Sequence, residues 1–324
     1  MFYCMLRPAG LLALAAASLS PALAIVVAGP DYNSSLVTFG QPVGGVDLSG
    51  VVGVASNIGG CSGSLLSDGM SVLTAGHCVT SHFGVPVSGN ISVTFLGPAG
   101  LVTTSVMSVT VNPGWTGDAT MGGDLAVLML SAPAPGFAHG YSLFTGSVNS
   151  DPAVLAGWGV TGTGITGNVG GYGTLRAGLN EYLTNGTTFG WSSTLLIGQF
   201  YQAGNPSSNA LHVANPYSSA DEVDIGHGDS GGPTFFNGML AGVHDVIVCQ
   251  DDPMNSSLCA MPPSINTSND SFFGQMFGDT SVASNVSWIQ AQIATPEPGT
   301  LLLCGAALAA AIIRRRGLRG LTVE

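Results

Sequence analysis

An all-β fold with one helix near its C-terminal end is predicted by three properties of this 324-residue sequence. Glycine occurs 48 times and charged residues make up only 7% of the chain, a balance that suits a turn-rich protein. Short runs of Val, Leu, Ile and Thr alternate with Gly, Pro, Asn and Ser turns, as strands of a sandwich or of barrels do. No long amphipathic helical period is visible. From Ile25 to about Gly45 the chain is a lead-in with weak strand character. Strands are then predicted at Val51–Ala55, Ser71–Leu73, Ile91–Leu96, Thr103–Val111 and Leu125–Leu130. A second set follows around Pro152–Gly157, Leu175–Tyr182, Thr234–Phe236 and Met239–Val248. The glycine-rich stretch Gly157–Gly173 reads as loop. The helix is predicted over Ala283–Ile293, where Val286, Ile289 and Ile293 share a face.

The charge balance disfavours one class of partner. Net charge is −12, lysine is absent, and the six arginines are Arg7, Arg176, Arg314, Arg315, Arg316 and Arg319. This balance argues against nucleic-acid binding, which requires basic surface to neutralise phosphates.

Both ends read as addresses. Residues 1–24 carry Arg7, an apolar stretch from Leu11 to Leu19 and the small-x-small site Ala22-Leu23-Ala24, which identifies a secretory signal peptide. Residues 295–324 hold Pro296-Glu297-Pro298, an apolar run from Leu301 to Ile313 and the basic cluster Arg314-Arg315-Arg316. This tail resembles the PEP-CTERM sorting signal of Gram-negative bacteria. The resemblance implies a secreted or cell-envelope protein, transient membrane association through the tail, and processing by signal peptidase and an exosortase-like sorting protease.

Three segments carry chemistry. Ser230 sits in GHGDSGGP (Gly226–Pro233), where flanking glycines permit a tight turn and close approach of substrate. His77 ends LTAGHC (Leu73–Cys78) one residue before the cysteine, and Asp124 opens the apolar run in GGDLAVLML (Gly122–Leu130). A carboxylate at the mouth of a buried strand is costly unless it is hydrogen-bonded. The GxSxG pattern around Ser230 also fits α/β-hydrolases, but those place the acid and then the histidine after the serine. Downstream of Ser230 the sole histidine is His244, fourteen residues on, which leaves no room for that order. The order here is His, Asp, Ser, with separations of 47 and 106 residues.

Together these segments resemble the trypsin/chymotrypsin family of serine endopeptidases, over roughly Val51 to Ile293. Gly157-Trp158-Gly159 and Val286-Ser287-Trp288-Ile289 resemble further family segments. The resemblance implies two packed six-stranded antiparallel β-barrels with a C-terminal helix. It divides the chain into a lead-in at 25–50, a protease domain at 51–294 with barrels at about 51–145 and 150–282 and a helix at 283–293, and the tail. It implies that protein or peptide substrates are cleaved through an acyl-enzyme, with Ser230 as nucleophile, His77 as general base, Asp124 as its orienting acid and the N–H groups of Gly228 and Ser230 as oxyanion hole. No cofactor and no metal are expected.

Cys4 and Cys304 lie in the terminal segments, leaving Cys61, Cys78, Cys249 and Cys259. Four cysteines allow three pairings. Cys61–Cys78 with Cys249–Cys259 is favoured, because the family bonds the cysteine after the histidine to one about sixteen residues upstream. Gly76 stands where the family usually has a second alanine.

Asp224, six residues before Ser230, resembles the carboxylate at the base of the trypsin specificity pocket, which implies cleavage after Arg or Lys. Gly226 replaces the usual pocket cysteine. The wall reads His244-Asp245-Val246-Ile247, where Ile247 is expected to narrow the entrance and Asp245 to add attraction for a cation. Family proteases mature when a new Ile/Val-rich terminus pairs with the aspartate before the serine, here Asp229. Cleavage after Ala24 exposes Ile25-Val26, so signal peptidase itself is expected to create the activating terminus. The alternative function is a catalytically silent protease fold acting as a binding or matrix protein of the cell envelope.

Overall fold

The structure is a computed structural model and describes residues 25–81, 85–87, 89–214, 216–249, 264–265 and 271–293. The signal-peptide and sorting-tail readings and Cys259 lie outside the described residues, as does the side chain of Cys249.

Strand β1 (Ile25–Val27) begins the described chain, and a 3-10 turn at Tyr32–Ser35 follows it. Six strands then close the first barrel in the order β2-β3-β4-β7-β6-β5. They are β2 (Val51–Ser56), β3 (Gly59–Leu65), β4 (Ser71–Thr74), β5 (Ser92–Gly97), β6 (Gly100–Val111) and β7 (Ala126–Leu130). Alternation along β5 puts Val93 and Phe95 inward, both fully buried, as a half-buried strand requires. The sequence reading missed β3, whose small residues (Gly, Cys, Ser) lack the usual strand composition.

The second half contributes β8 (Ala153–Gly157), β9 (Thr161–Thr163), β10 (Gly167–Gly170), β11 (Arg176–Asn180), β12 (Thr184–Asn185), β13 (Leu195–Gln199) and β14 (Val223–Asp224). It continues with β15 (Pro233–Phe236), β16 (Met239–Cys249), β17 (Ser264–Ile265), β18 (Met276–Ser281) and the helix α1 (Val282–Gln292). The main sheet runs β11-β8-β15-β16-β18-β13-β12, with β17 paired to β16. Its two end strands, β11 and β12, are successive parts of one chain pass separated by three residues. Six passes therefore ring this half too, with an irregular seam that the Asn180 side chain spans by donating to the Gln199 carbonyl at 3.0 Å.

A four-stranded sheet, β10-β9-β1-β14, joins the start of the described chain to this half. Here the reading of Gly157–Gly173 as loop is corrected. β9 is a strand because β1 lies parallel to it, Ile25 opposite Thr161, and β10 pairs on its other side. Helix α1 matches its predicted span to within a residue and buries Ile289 completely in the core cluster that residues of both halves share. Ser281 caps it, accepting the Ser284 N–H at 3.2 Å.

Candidate active site

Asp124 reaches the histidine because Gly122 and Gly123, at φ 71° and 80°, turn the chain sharply just before β7. The carboxylate is fully buried. Its Oδ1 accepts the His77 backbone N–H at 2.7 Å and its Oδ2 meets His77 Nδ1 at 2.5 Å. One side chain thus fixes both the turn that carries the imidazole and the imidazole itself. Nδ1 carries the proton in this arrangement, which leaves Nε2 free to accept one.

Burial alone would lower the His77 pKa, but the Asp124 charge and hydrogen bond outweigh it and hold it above the ordinary histidine value. Burial would raise Asp124, and the His77 charge and hydrogen bonds bring it below the usual carboxylate value. About a third of the imidazole side chain remains open to solvent. Gly76 has a physical reason: a Cβ there would lie 2.9 Å from Trp115 Cδ1 and from Asp124 Oδ1. Trp115 flanks the histidine ring, its Nε1–H donating to Thr80 Oγ1 at 3.0 Å.

The Cys61–Cys78 disulfide forms as favoured, with Cα atoms 6.1 Å apart. It ties the histidine turn to β3, the same strand that holds the serine loop. Ser62 N–H donates to the Ser230 carbonyl at 2.8 Å, and Ser62 Oγ donates to the Gly228 carbonyl at 3.0 Å while accepting the Trp158 N–H at 2.8 Å. Among the described residues no hydrogen bond joins Ser230 Oγ to His77; such contacts commonly tighten when substrate binds. The N–H groups of Asp229, Gly231 and Gly232 are engaged by backbone carbonyls. Those of Gly228 and Ser230 meet no acceptor among the described residues. Gly228 has φ 90°, and a Cβ there would lie 3.0 Å from Gly159 Cα. These two donors are the ones expected to hold an oxyanion.

Asp229 is fully buried and accepts Gly159 N–H at 2.8 Å and Gly226 N–H at 2.7 Å. The Ile25 N–H is directed at the same carboxyl, and Ile25 is itself fully buried. Burial, only partly offset by these donors, pushes Asp229 up to about 6. Gly157 and Gly159 explain the Gly-Trp-Gly segment, since a Cβ at Gly157 would lie 2.1 Å from Asp229 Oδ1 and one at Gly159 would lie 2.4 Å from Asp229 N.

Asp224 ends β14, opposite Val26 of β1, and is fully buried. Its Oδ1 accepts the Ile225 N–H at 2.9 Å, and its Oδ2 has no partner among the described residues. Burial pushes its pKa up to about 8. Two expectations for the pocket wall are corrected. Ile247 packs into a buried cluster with Ile25, Ile225 and Phe277 rather than standing at a rim. Asp245 lies beside Asp124, with its Oδ2 accepting the Thr280 hydroxyl at 3.0 Å. The preceding residue, His244, is fully buried and pairs through Nδ1 with Asp279 Oδ1 at 3.0 Å. Asp279 Oδ2 also accepts the hydroxyls of Tyr182 and Thr234, each at 2.5 Å. This network escaped sequence reasoning; the acid in a buried β18 strand, MFGDTS, was its one visible signal.

Among the described residues two clusters bring metal-ligating atoms together, Cys61 with His77 and Cys78, and His77 with Asp124 and Asp245, and neither is a good metal cage. In one cluster, Cys61 and Cys78 are bonded to each other. In the other, the 2.5 Å between His77 Nδ1 and Asp124 Oδ2 is shorter than the roughly 3.3 Å that two tetrahedral zinc ligands require.

Residues 45–256 match the family described as Trypsin. The chain belongs to the trypsin family. Among solved structures it is similar to neuropsin, a serine protease expressed in the limbic system of mouse brain, at 16% identity and a TM-score of 0.54. That match covers 76% of this chain and 95% of the other, and at such identity it speaks for the fold alone. Comparison with curated proteins returns no match.

Proposed function

We propose that this trypsin-family domain is a secreted serine endopeptidase. The observation that carries the reading is the double hold of Asp124 on His77, through its backbone N–H and its Nδ1, on the disulfide-tied frame that also anchors Ser230. In the reaction Ser230 Oγ attacks the scissile carbonyl and passes its proton to His77 Nε2. Asp124 steadies the imidazolium, and the N–H groups of Gly228 and Ser230 receive the oxyanion. His77 returns the proton to the leaving amine; water then enters by the same route and frees the acyl group.

Two finer readings go with it. Signal peptidase cleavage after Ala24 is the activating step, because Ile25 N already faces Asp229. Asp224 selects Arg or Lys: a carboxyl held near neutrality with one oxygen unpartnered ionises when a cation arrives beside it. Export and tail processing rest on the terminal motifs. The test treats the chain starting at Ile25, and its Ser230→Ala variant, with a fluorophosphonate probe and a peptide library. Labelling of the unsubstituted chain alone, with cuts after Arg or Lys, is expected. Cuts elsewhere would remove the role of Asp224. A folded protein that neither labels nor cleaves would favour the catalytically silent, matrix-protein alternative.

A further inference from the structure

Asp245 carries a geometry that the mechanism above does not use. It lies on β16, where the strand bulges between His244 and Val246, so that two of its residues answer to one on β18. The side chain is 6% exposed. Its Oδ2 accepts from Thr280 Oγ1 at 3.0 Å, while its Oδ1 has no partner among the described residues. The ligand atoms of His77, Asp124 and Asp245 all lie within 4.8 Å of one another. Asp124 has already given Oδ1 to the His77 N–H and Oδ2 to its Nδ1. Two ionised carboxylates buried this close together would leave one oxygen unpaired and set two like charges against each other. A single proton between them removes both faults.

On the serine-protease reading above, we propose that Asp245 is a positioning residue: a protonated carboxyl that donates its hydrogen bond to Asp124, so that the acid end of the triad is an aspartate pair holding one proton. The surroundings favour that proton on every side. Asp124 and His77 face it from the first barrel. Asp279 faces it from β18 and is itself tied to His244, Tyr182 and Thr234. Burial and the Asp124 charge push Asp245 well above the usual carboxylate value, whereas Asp124 is lowered. The consequence is chemical. A neutral Asp245 gives the His77 imidazolium one balancing anion instead of two, and so moderates the strength of the base.

The proton can be located by following the His77 titration by NMR in the chain starting at Ile25, with Ser230→Ala present to prevent self-digestion. Asp245→Asn is compared with the parent. Exchange of one neutral donor for another is expected to leave the His77 midpoint within a few tenths of a pH unit and to keep its low-field Nδ1–H resonance. If Asp245 is ionised, the substitution removes an anion about 5 Å away and lowers the midpoint by roughly two pH units, which overturns the proposal. Should Asp245→Asn not fold, carboxyl-carbon shifts of Asp124 and Asp245 in the parent answer the same question. An ionised Asp245 at pH 7 refutes the shared proton.

With Ser230 intact, fluorophosphonate labelling reads the positioning role. Asp245→Ala is expected to label roughly ten- to a hundredfold more slowly, the effect of losing a hydrogen bond to a charged group. Asp245→Ser, which can donate again, is expected to recover most of that. Equal rates in all three would refute positioning. An unreactive Ser230 in the parent, beside an unchanged His77 midpoint in Asp245→Asn, would instead defeat the protease reading and leave the shared proton in place.

Discussion

Retaining a single residue before Ile25 would separate two roles of the buried start of β1. In the chain that begins at Ile25 the terminal nitrogen is an ammonium facing Asp229; with Ala24 retained it is a neutral amide in the same strand. Asp229 is fully buried and already accepts from Gly159 and Gly226, yet its pKa stands at about 6. Neutral donors therefore do not fully compensate its charge. An ammonium at about 4 Å adds roughly 4 kcal/mol at an effective dielectric of 20, equivalent to about three pH units on the carboxyl. Breaking a buried pair of this kind costs about 3–5 kcal/mol.

Because residues 226–233 hang from Asp229, that loss falls on the oxyanion donors. Fluorophosphonate labelling of the Ala24-retaining chain is expected to be slower by a factor of about 100–1,000. The ammonium gains a partner on folding, so its pKa is raised above the ordinary α-amino range of about 8. Its stabilisation is complete below that range and disappears as pH rises through the raised value. Activity of the Ile25 chain should consequently fall on the alkaline side, and the extended chain should lack that limb. Equal labelling rates for the two chains at neutral pH would refute the argument.

Other outcomes follow from the same geometry. Gly76→Ala places a methyl 2.9 Å from Trp115 and Asp124, and an overpacking loss of about 1–3 kcal/mol is expected in denaturant unfolding, together with slower labelling. Removing the Cys61–Cys78 bridge by Cys61→Ser with Cys78→Ser opens a loop of 17 residues and should cost about 3 kcal/mol, read as a lower midpoint in the same assay. Asp224 and Glu222 each stand at about 8 because of burial. The folded state therefore binds protons that the unfolded state has released, and stability should fall as pH rises from about 4 through about 8. Asp224→Asn should flatten that slope in Tm measured against pH. His77 is held above the ordinary histidine value and must be neutral to serve as the proposed base, so the acid limb of kcat/KM should lie above that of an exposed histidine.

Local frames made the candidate residues His77, Asp124 and Ser230 legible in the sequence, because each lies within a few residues of its own glycines or cysteine, and the family resemblance supplied the Cys61–Cys78 pairing. The strands that seat Ile25 were not legible. β9 and β10 are threonine- and glycine-rich and owe their form to β1, more than 130 residues earlier in the chain; no local period records such a partner. Asp245 was misplaced for a related reason. The bulge after His244 sets its direction, and a bulge depends on the register of β16 against β18 rather than on composition. Arg176, the one arginine between the two ends of the chain, is fully buried, with its guanidinium donating to the Tyr32 carbonyl and to Ser35 Oγ and lying over the Tyr32 ring; nothing in its local sequence marks that burial.

The seat of Ile25 also gives the molecule an unusual response to covalent labelling. With no lysine in the chain, a domain starting at Ile25 possesses one primary amine, and that amine is enclosed between β9 and β14. Amine-directed reagents should therefore ignore the folded protein and modify it once when the terminus withdraws. A single mass increment would report whether β1 is docked, residue by residue invisible to most probes but countable here as one or none.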